Sequence, residues 1–334
     1  MEMLEAIKKF NTQFAFEPKI VNGEGLGKFS KFLVAGMGGS HLAADLIKTW
    51  KPSLDLVVHS SYGLPELSED VLKDRLVIAS SYSGNTEETV SAFEDAGKRG
   101  LPRSAIFVGG KLKELALKDG VSFIEFPDTG IQPRTATGFM FKALLKFIGE
   151  ETALKEVTSL SQQLNPETYE AIGRKLAERL RGFVPIIYAS ARNQAIAQNW
   201  KIKFNETGKI PAFYNIFPEL NHNEMTGFDT QARIDADSTR TDADIRHKLN
   251  EPFHFVFLRD HADHPKILKR MNATAELLRG RGLPVEIIDL EGRDAFVKIF
   301  SSLLIADWAA YYTAEEYGND PNEVPMVEEF KKLI

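Results

Sequence analysis

Leu76-Val77-Ile78-Ala79-Ser80-Ser81-Tyr82-Ser83-Gly84-Asn85-Thr86-Glu87-Glu88-Thr89 decides the fold. Its first four residues are an apolar run of the kind a buried strand uses. Val90-Ser91-Ala92-Phe93-Glu94-Asp95-Ala96, just after it, reads as a helix. The join is short and rich in hydroxyls, and Gly84 lets the backbone turn tightly. A helix start of this kind carries four free N–H groups and about half a unit of positive charge. Ser81, Ser83 and Thr86 add hydroxyls at the same place, so an anion, a phosphate monoester above all, is the natural occupant. No lysine stands in the loop, which sets it apart from a Walker-type nucleotide loop. A purely structural reading is also open: Asn85 as N-cap with Glu88 three residues on makes a capping box. The two readings are compatible.

A second strand–glycine turn–helix unit precedes this one. Lys31-Phe32-Leu33-Val34-Ala35 is a strand, Gly36-Met37-Gly38-Gly39-Ser40 the turn, and His41-Leu42-Ala43-Ala44-Asp45-Leu46-Ile47 the start of a helix. The dinucleotide fingerprint is incomplete, because His41 stands where its third glycine would fall. No acidic residue ends the next strand either: Leu56-Val57-Val58 runs into His59-Ser60-Ser61. Nicotinamide binding is therefore disfavoured. Further strands are expected at residues 56–59, 76–80, 105–108 and 122–126, with helices between. That alternation predicts right-handed crossovers and a parallel sheet. Arg134 falls just before the helix at residues 139–148, in a loop without other charges. There it reads either as a solvated loop residue or as a cation for a developing oxyanion.

The pattern then recurs. Residues 151–181 are highly charged and helical, the expected connector between a domain at 1–150 and one at 182–334. Strands are expected at 184–189, 253–258 and 285–290, with helices at 194–205, 265–279 and 294–317. Ligands of such folds bind beyond the carboxyl ends of the strands. Gly208 reads as the C-cap of the helix ending in Asn205-Glu206. Glu206 sits where the helix dipole disfavours a carboxylate, a mild functional hint beside the reading as a solvated glutamate. His222 lies in the polar stretch Pro218-Glu219-Leu220-Asn221-His222-Asn223-Glu224-Met225 and can trade protons near neutral pH. No second histidine stands at ligand spacing from it, so a metal site is not expected.

The 334-residue chain is long enough for two domains, with 43% hydrophobic and 26% charged residues, the balance of a globular protein. A net charge of −6 argues against a nucleic-acid surface. The absence of cysteine excludes disulfide and thiolate chemistry. No apolar run approaches the roughly 18 residues of a membrane span. The N-terminal Met1–Phe10 stretch reads as a charged amphipathic helix and not as a signal peptide. A cytoplasmic enzyme or sensor is expected.

In order and spacing, these motifs resemble the sugar isomerase (SIS) domain family, in its bifunctional phosphoglucose/phosphomannose isomerase branch. The stretches that carry the resemblance are Gly36–Ser40, Ser81–Thr89, Pro133-Arg134, Asn205-Glu206 and Leu220–Glu224, and it covers the chain from about residue 20 onward. The resemblance implies an α/β fold of two SIS-type α-β-α sandwich domains, each on a five-stranded parallel sheet, and a homodimer. By the same resemblance Ser81, Ser83 and Thr86 hold the sugar phosphate, and Gly38, Gly39 and Ser40 line the sugar. Arg134 stabilises an enediolate, and Glu206 moves the proton between C1 and C2. His222 opens the sugar ring from across the dimer interface, and Lys331 is a further ring-opening candidate. The implied activity is interconversion of glucose 6-phosphate and fructose 6-phosphate, extending to mannose 6-phosphate, with no metal or organic cofactor. Alternatives are a non-catalytic sugar-phosphate regulator, or an SIS enzyme acting on another phosphosugar such as an amino sugar. One departure stands out. Where the family often has a small hydroxyl residue after the acid of the last long helix, this chain has Ala309, which leaves the epimer preference open.

Overall fold

The computed structural model describes residues 1–229 and 252–333. The chain divides into two compact units, Met1–Glu167 and Thr168–Ile334. In the first, strands β1 (Lys31–Ala35), β2 (Asp55–His59), β3 (Leu76–Ser80), β4 (Arg103–Phe107) and β5 (Ser122–Glu125) form one sheet in the order β2-β1-β3-β4-β5. Every pairing is parallel. All five residues of β3 are buried, as expected of a central strand covered on both faces. Alternate residues serve different layers. Leu33, Ala35 and Val77 pack with Leu72, Ala92 and Ala96, on the face of α3 (Glu69–Lys73) and α4 (Glu87–Lys98). Ala79, Ala105, Phe107 and Phe123 continue that layer against Phe93 of α4 and Leu112 and Ala116 of α5 (Gly110–Lys118).

Helix α6 (Thr137–Ile148) is apolar almost all round, and every residue but Lys146 is buried. It packs against α2 (Gly39–Trp50), α7 (Glu151–Gln163) and the 3-10 turn Phe10–Ala15 that follows α1 (Met3–Lys8). Lys142 is the charged residue inside this layer. Its ammonium donates to the Phe14 carbonyl and, at 2.8 Å, to the Thr158 hydroxyl. Burial pushes its pKa down to about 8, against a smaller upward pull from Glu17. The unfolded chain, near the ordinary lysine value of about 10.4, then binds more protons than the folded one between roughly pH 8 and 10.4. Lys142 therefore makes a contribution to stability that rises with pH across that window. The difference in urea midpoint between wild type and Lys142→Met is expected to shift in favour of wild type from pH 8 to pH 10. A constant difference would show that Lys142 does not titrate there.

The boundary falls within the 3-10 turn Pro166–Tyr169, and the first helix of the second unit is α8 (Glu170–Leu180). Its sheet runs β7-β6-β8-β9, all parallel, from β6 (Val184–Ser190), β7 (Phe213–Phe217), β8 (Phe253–Arg259) and β9 (Val285–Asp289). Four strands, not the expected five, form this sheet among the described residues. Beyond β9 the chain turns into a helix instead of adding a strand. Asp294 accepts the Val297 N–H at 2.9 Å and starts α11 (Ala295–Glu316). The apolar residues of α11 occupy most of its circumference, which suits a buried helix and not the alternation of an edge strand. α11 packs against α8 and α9 (Gln194–Glu206). On the sheet, Tyr188, Phe217, Phe255 and Phe257 join Met271 and Leu278 of α10 (Pro265–Arg279) in one core. The last element is α12 (Pro325–Lys331).

Candidate active site

The strand order of the first sheet reverses between β1 and β3, and crevices at such points bind ligands in open α/β sheets. The glycine turn after β1 and the hydroxyl loop after β3 meet there. Ser80 Oγ donates to the Ser40 carbonyl at 2.8 Å, and the Tyr82 N–H donates to Ser40 Oγ at 3.0 Å. Gly36 is obligatory in this contact, since a Cβ there would lie 2.7 Å from the Ser80 carbonyl oxygen. A third segment, the 3-10 turn Pro133–Thr135, closes against the same place. A Cβ on Gly39 would lie 2.8 Å from the Pro133 carbonyl oxygen and 3.1 Å from Arg134 Cα. The fold thus brings the turn after β1, the start of the loop after β3 and the Pro133–Thr135 turn to one place.

Within the loop the hydroxyls divide the work. Ser81 is fully buried. Its Oγ accepts the Gly84 N–H at 3.1 Å and is hydrogen-bonded to Thr86 Oγ1 at 2.8 Å, so it shapes the turn. Ser83 is exposed, and its Oγ accepts the Asn85 N–H at 3.2 Å. Asn85 is not the cap of its own helix: Thr86 occupies the N-cap of α4, and no side chain caps that end. Instead Asn85 Oδ1 accepts the Lys111 N–H at 2.9 Å, in the first turn of α5. The capping box is absent because the side chain finds an orphan donor on the neighbouring helix.

Gly84 holds φ +73°, and a Cβ there would fall 1.8 Å from the Gly109 carbonyl oxygen. Only glycine fits. Gly84→Ala must displace the loop, and we expect KM for a phosphosugar to rise at least about tenfold, equivalent to about 1.4 kcal/mol of binding. Steady-state kinetics check this, and an unaltered KM would mean that the loop does not hold the phosphate.

Glu206, His222 and Lys331 stand on separate elements of the second unit. Glu206 is the last residue of α9 and half-buried. Gly208 is not the left-handed residue of this helix end. Lys209 is, with φ +58°, and its ammonium donates to the Glu206 carbonyl. Gly208 is needed for a different reason: a Cβ would lie 2.8 Å from the Phe204 carbonyl oxygen. One turn before Glu206, Lys203 pairs with Asp307 at 2.6 Å, both side chains 3% exposed. The sequence reasoning missed this pair. Its signal was an aspartate inside the otherwise apolar run of α11.

His222 ends the 3-10 turn Glu219–His222 and is exposed. Neighbouring side chains are committed to holding that loop. Glu219 accepts from Asn223 at 2.8 Å, Asn221 donates to the Thr274 hydroxyl at 2.8 Å, and Glu224 accepts from Tyr188 and Asn215. Lys331 lies on the exposed α12 and pairs with Glu328 at 2.7 Å. Ala309 is fully buried against α8, where a Cβ on Gly173 would lie 2.8 Å from its backbone nitrogen. The two helices are in close contact at this position. The hydroxyl on this helix face is that of Thr313, which donates to the Ala309 carbonyl at 2.8 Å.

The second sheet has its own reversal between β6 and β8. Ser190, Asn193, Asp260 and Asp263 are buried there, and Lys298 pairs with Asp260 at 2.7 Å. Burial, followed by the charge of Asp260, pushes Asp263 up. Burial works against the charge of Asp260 as well, but hydrogen bonds from Lys298 and the Ala262 N–H leave its pKa lowered. Two carboxylates where the first unit has hydroxyls make this crevice unsuited to a phosphate.

The pattern of the bacterial phospho-glucose isomerase C-terminal SIS domain matches residues 170–334. A bifunctional phosphoglucose/phosphomannose isomerase of Caldicellulosiruptor bescii is 35% identical over 91% of this chain and 89% of its own. One of Aquifex aeolicus is 30% identical over 100% and 98%. A D-glucosamine-6-phosphate 4-epimerase of Sulfolobus acidocaldarius is 31% identical over 62% of this chain and 67% of its own. Among solved structures, tagatose-6-phosphate ketose/aldose isomerase from Escherichia coli superposes with a TM-score of 0.65 at 18% identity, covering 96% of this chain and 94% of that one. The parallel sheets, with the loop at the β1/β3 reversal, define a protein of the SIS-domain class. Within that class the chain belongs to the bifunctional phosphoglucose/phosphomannose isomerase family.

Proposed function

We propose that this protein interconverts glucose 6-phosphate and fructose 6-phosphate, and mannose 6-phosphate with fructose 6-phosphate, as a cytoplasmic homodimer. The observation that carries the proposal is the convergence of the Gly38–Ser40 turn, the Ser81–Thr86 loop and Arg134 at one strand reversal, in a chain of this family. The loop holds the phosphate, far from the reacting carbons, and its binding energy positions them. His222 of the partner subunit opens the ring, with Lys331 as a second candidate for that step. Glu206 takes the C2 proton of the open aldose and returns it to C1, while O1 and O2 exchange carbonyl and hydroxyl character through a cis-enediolate. A carboxylate is a sufficient base for such a carbon acid only if the developing charge is met by a fixed cation, the role of Arg134. No step calls for a metal or organic cofactor.

A coupled assay on the purified protein, with glucose 6-phosphate, mannose 6-phosphate and glucosamine 6-phosphate in parallel, tests the proposal. Turnover of the first two supports it. Binding without turnover of any of the three would favour a regulator. Turnover confined to the amino sugar would favour the activity named for the Sulfolobus relative.

A further inference from the structure

We infer that Gln13 is a positioning residue for Arg134, an inference that rests on the role proposed above for that arginine. Gln13 lies in the N-terminal 3-10 turn Phe10–Ala15, outside every motif the family resemblance rests on. It is 3% exposed, and both ends of its carboxamide are used. Nε2 donates to the Thr135 carbonyl at 2.7 Å. Oε1 accepts the N–H groups of Gly138 at 3.0 Å and Phe139 at 3.3 Å. These are first-turn donors of α6, which has no cap from its own sequence: Ala136 occupies the N-cap. One amide thus joins the end of the Arg134 turn to the start of the helix it leads into.

Gly39 also abuts that turn, where a Cβ would lie 2.8 Å from the Pro133 carbonyl oxygen. Pro133–Thr135 is therefore held by both the glycine turn and Gln13. Gly138 completes the fit, since a Cβ there would lie 2.9 Å from Gln13 Cβ. Gln13 is itself held from behind, because Lys142 of α6 donates to the carbonyl of Phe14. Such a hold is suited to a cation that meets charge only in the transition state, where a 1 Å misplacement can cost about 10²-fold in rate.

Gln13→Met removes all three hydrogen bonds at similar volume. Gln13→Glu keeps the two accepted bonds but sets a carboxylate oxygen against the Thr135 carbonyl, replacing a hydrogen bond by repulsion between two acceptors. The test is a double-mutant cycle with Arg134→Lys, reading kcat and KM for fructose 6-phosphate well below the melting temperature of each variant. Gln13→Met is expected to lower kcat about 10- to 100-fold with KM within about twofold, and Gln13→Glu to lower it at least as much. In the Arg134→Lys background the same change at Gln13 is expected to cost less than about threefold, because the group it positions is already impaired. Should Gln13→Met not fold, the Gln13→Glu arm runs the same cycle. Equal losses in both backgrounds, a loss confined to KM, or an undiminished kcat would overturn the inference. The failure of the underlying reading looks different: an inactive wild type, or Arg134→Lys turning over like wild type, removes the role of Arg134 and the inference with it.

Discussion

Glu206→Gln is expected to lower kcat for glucose 6-phosphate by 10² to 10⁴, the usual contribution of a general base. The substitution is close to isosteric, but a carboxamide cannot accept the C2 proton. The backbone around it has support independent of the carboxylate: Lys209 holds the Glu206 carbonyl, and Asn205 donates to the Ile210 carbonyl at 3.0 Å. KM is therefore expected to stay within a few-fold, since the phosphate supplies the binding and the carboxylate acts on the transition state. Exchange of the C2 hydrogen with solvent deuterium, followed by NMR, should fall in parallel with turnover. A loss of less than about tenfold, or exchange at the wild-type rate, would remove Glu206 as the base.

The second large effect concerns stability. Asp307→Ala leaves the Lys203 ammonium buried without its carboxylate. Breaking one side of a buried pair typically costs about 3–5 kcal/mol, because the remaining charge is not solvated. For a unit of this size each kcal/mol lowers the melting temperature by about 2–4 °C, so a fall of roughly 10 °C is expected. The pair ties α9 to α11 one turn before Glu206, which makes activity near the new melting temperature sensitive as well. Replacing both members, as Lys203→Met with Asp307→Leu, should recover much of the loss, since well-packed apolar residues often match a buried ion pair. Thermal unfolding of the single and double variants decides this. A single variant within about 1 kcal/mol of wild type would mean that the ammonium finds other solvation.

Local readings fared differently from distant ones. The two strand–turn–helix units of the first half are legible because each is continuous in sequence, with glycines where the backbone must turn or be approached closely. Asn85 misled the capping argument: the donor it serves, on Lys111, is 26 residues away, and nothing local marks it. The strand Phe213–Phe217 was not among the expected elements. It is an edge strand with an exposed first residue, so its apolar content does not follow a buried-strand pattern. The five strands implied for the second sheet came from the family resemblance, and the long apolar helix after β9 replaces that expectation with four among the described residues.

The linear order of residues was enough to specify the parallel α/β class, the hydroxyl-rich loop after the third strand, and the family, because strand period, glycine spacing and helix starts are all written within a few residues of one another. The remaining features needed the folded chain. That Gln13 caps a helix more than a hundred residues away, that Lys203 finds Asp307 across a similar separation, and that Ala309 packs closely on Gly173 are consequences of which buried polar or small groups meet. A buried donor or charge must find its partner wherever the packing brings one, and that pairing has no period in the sequence.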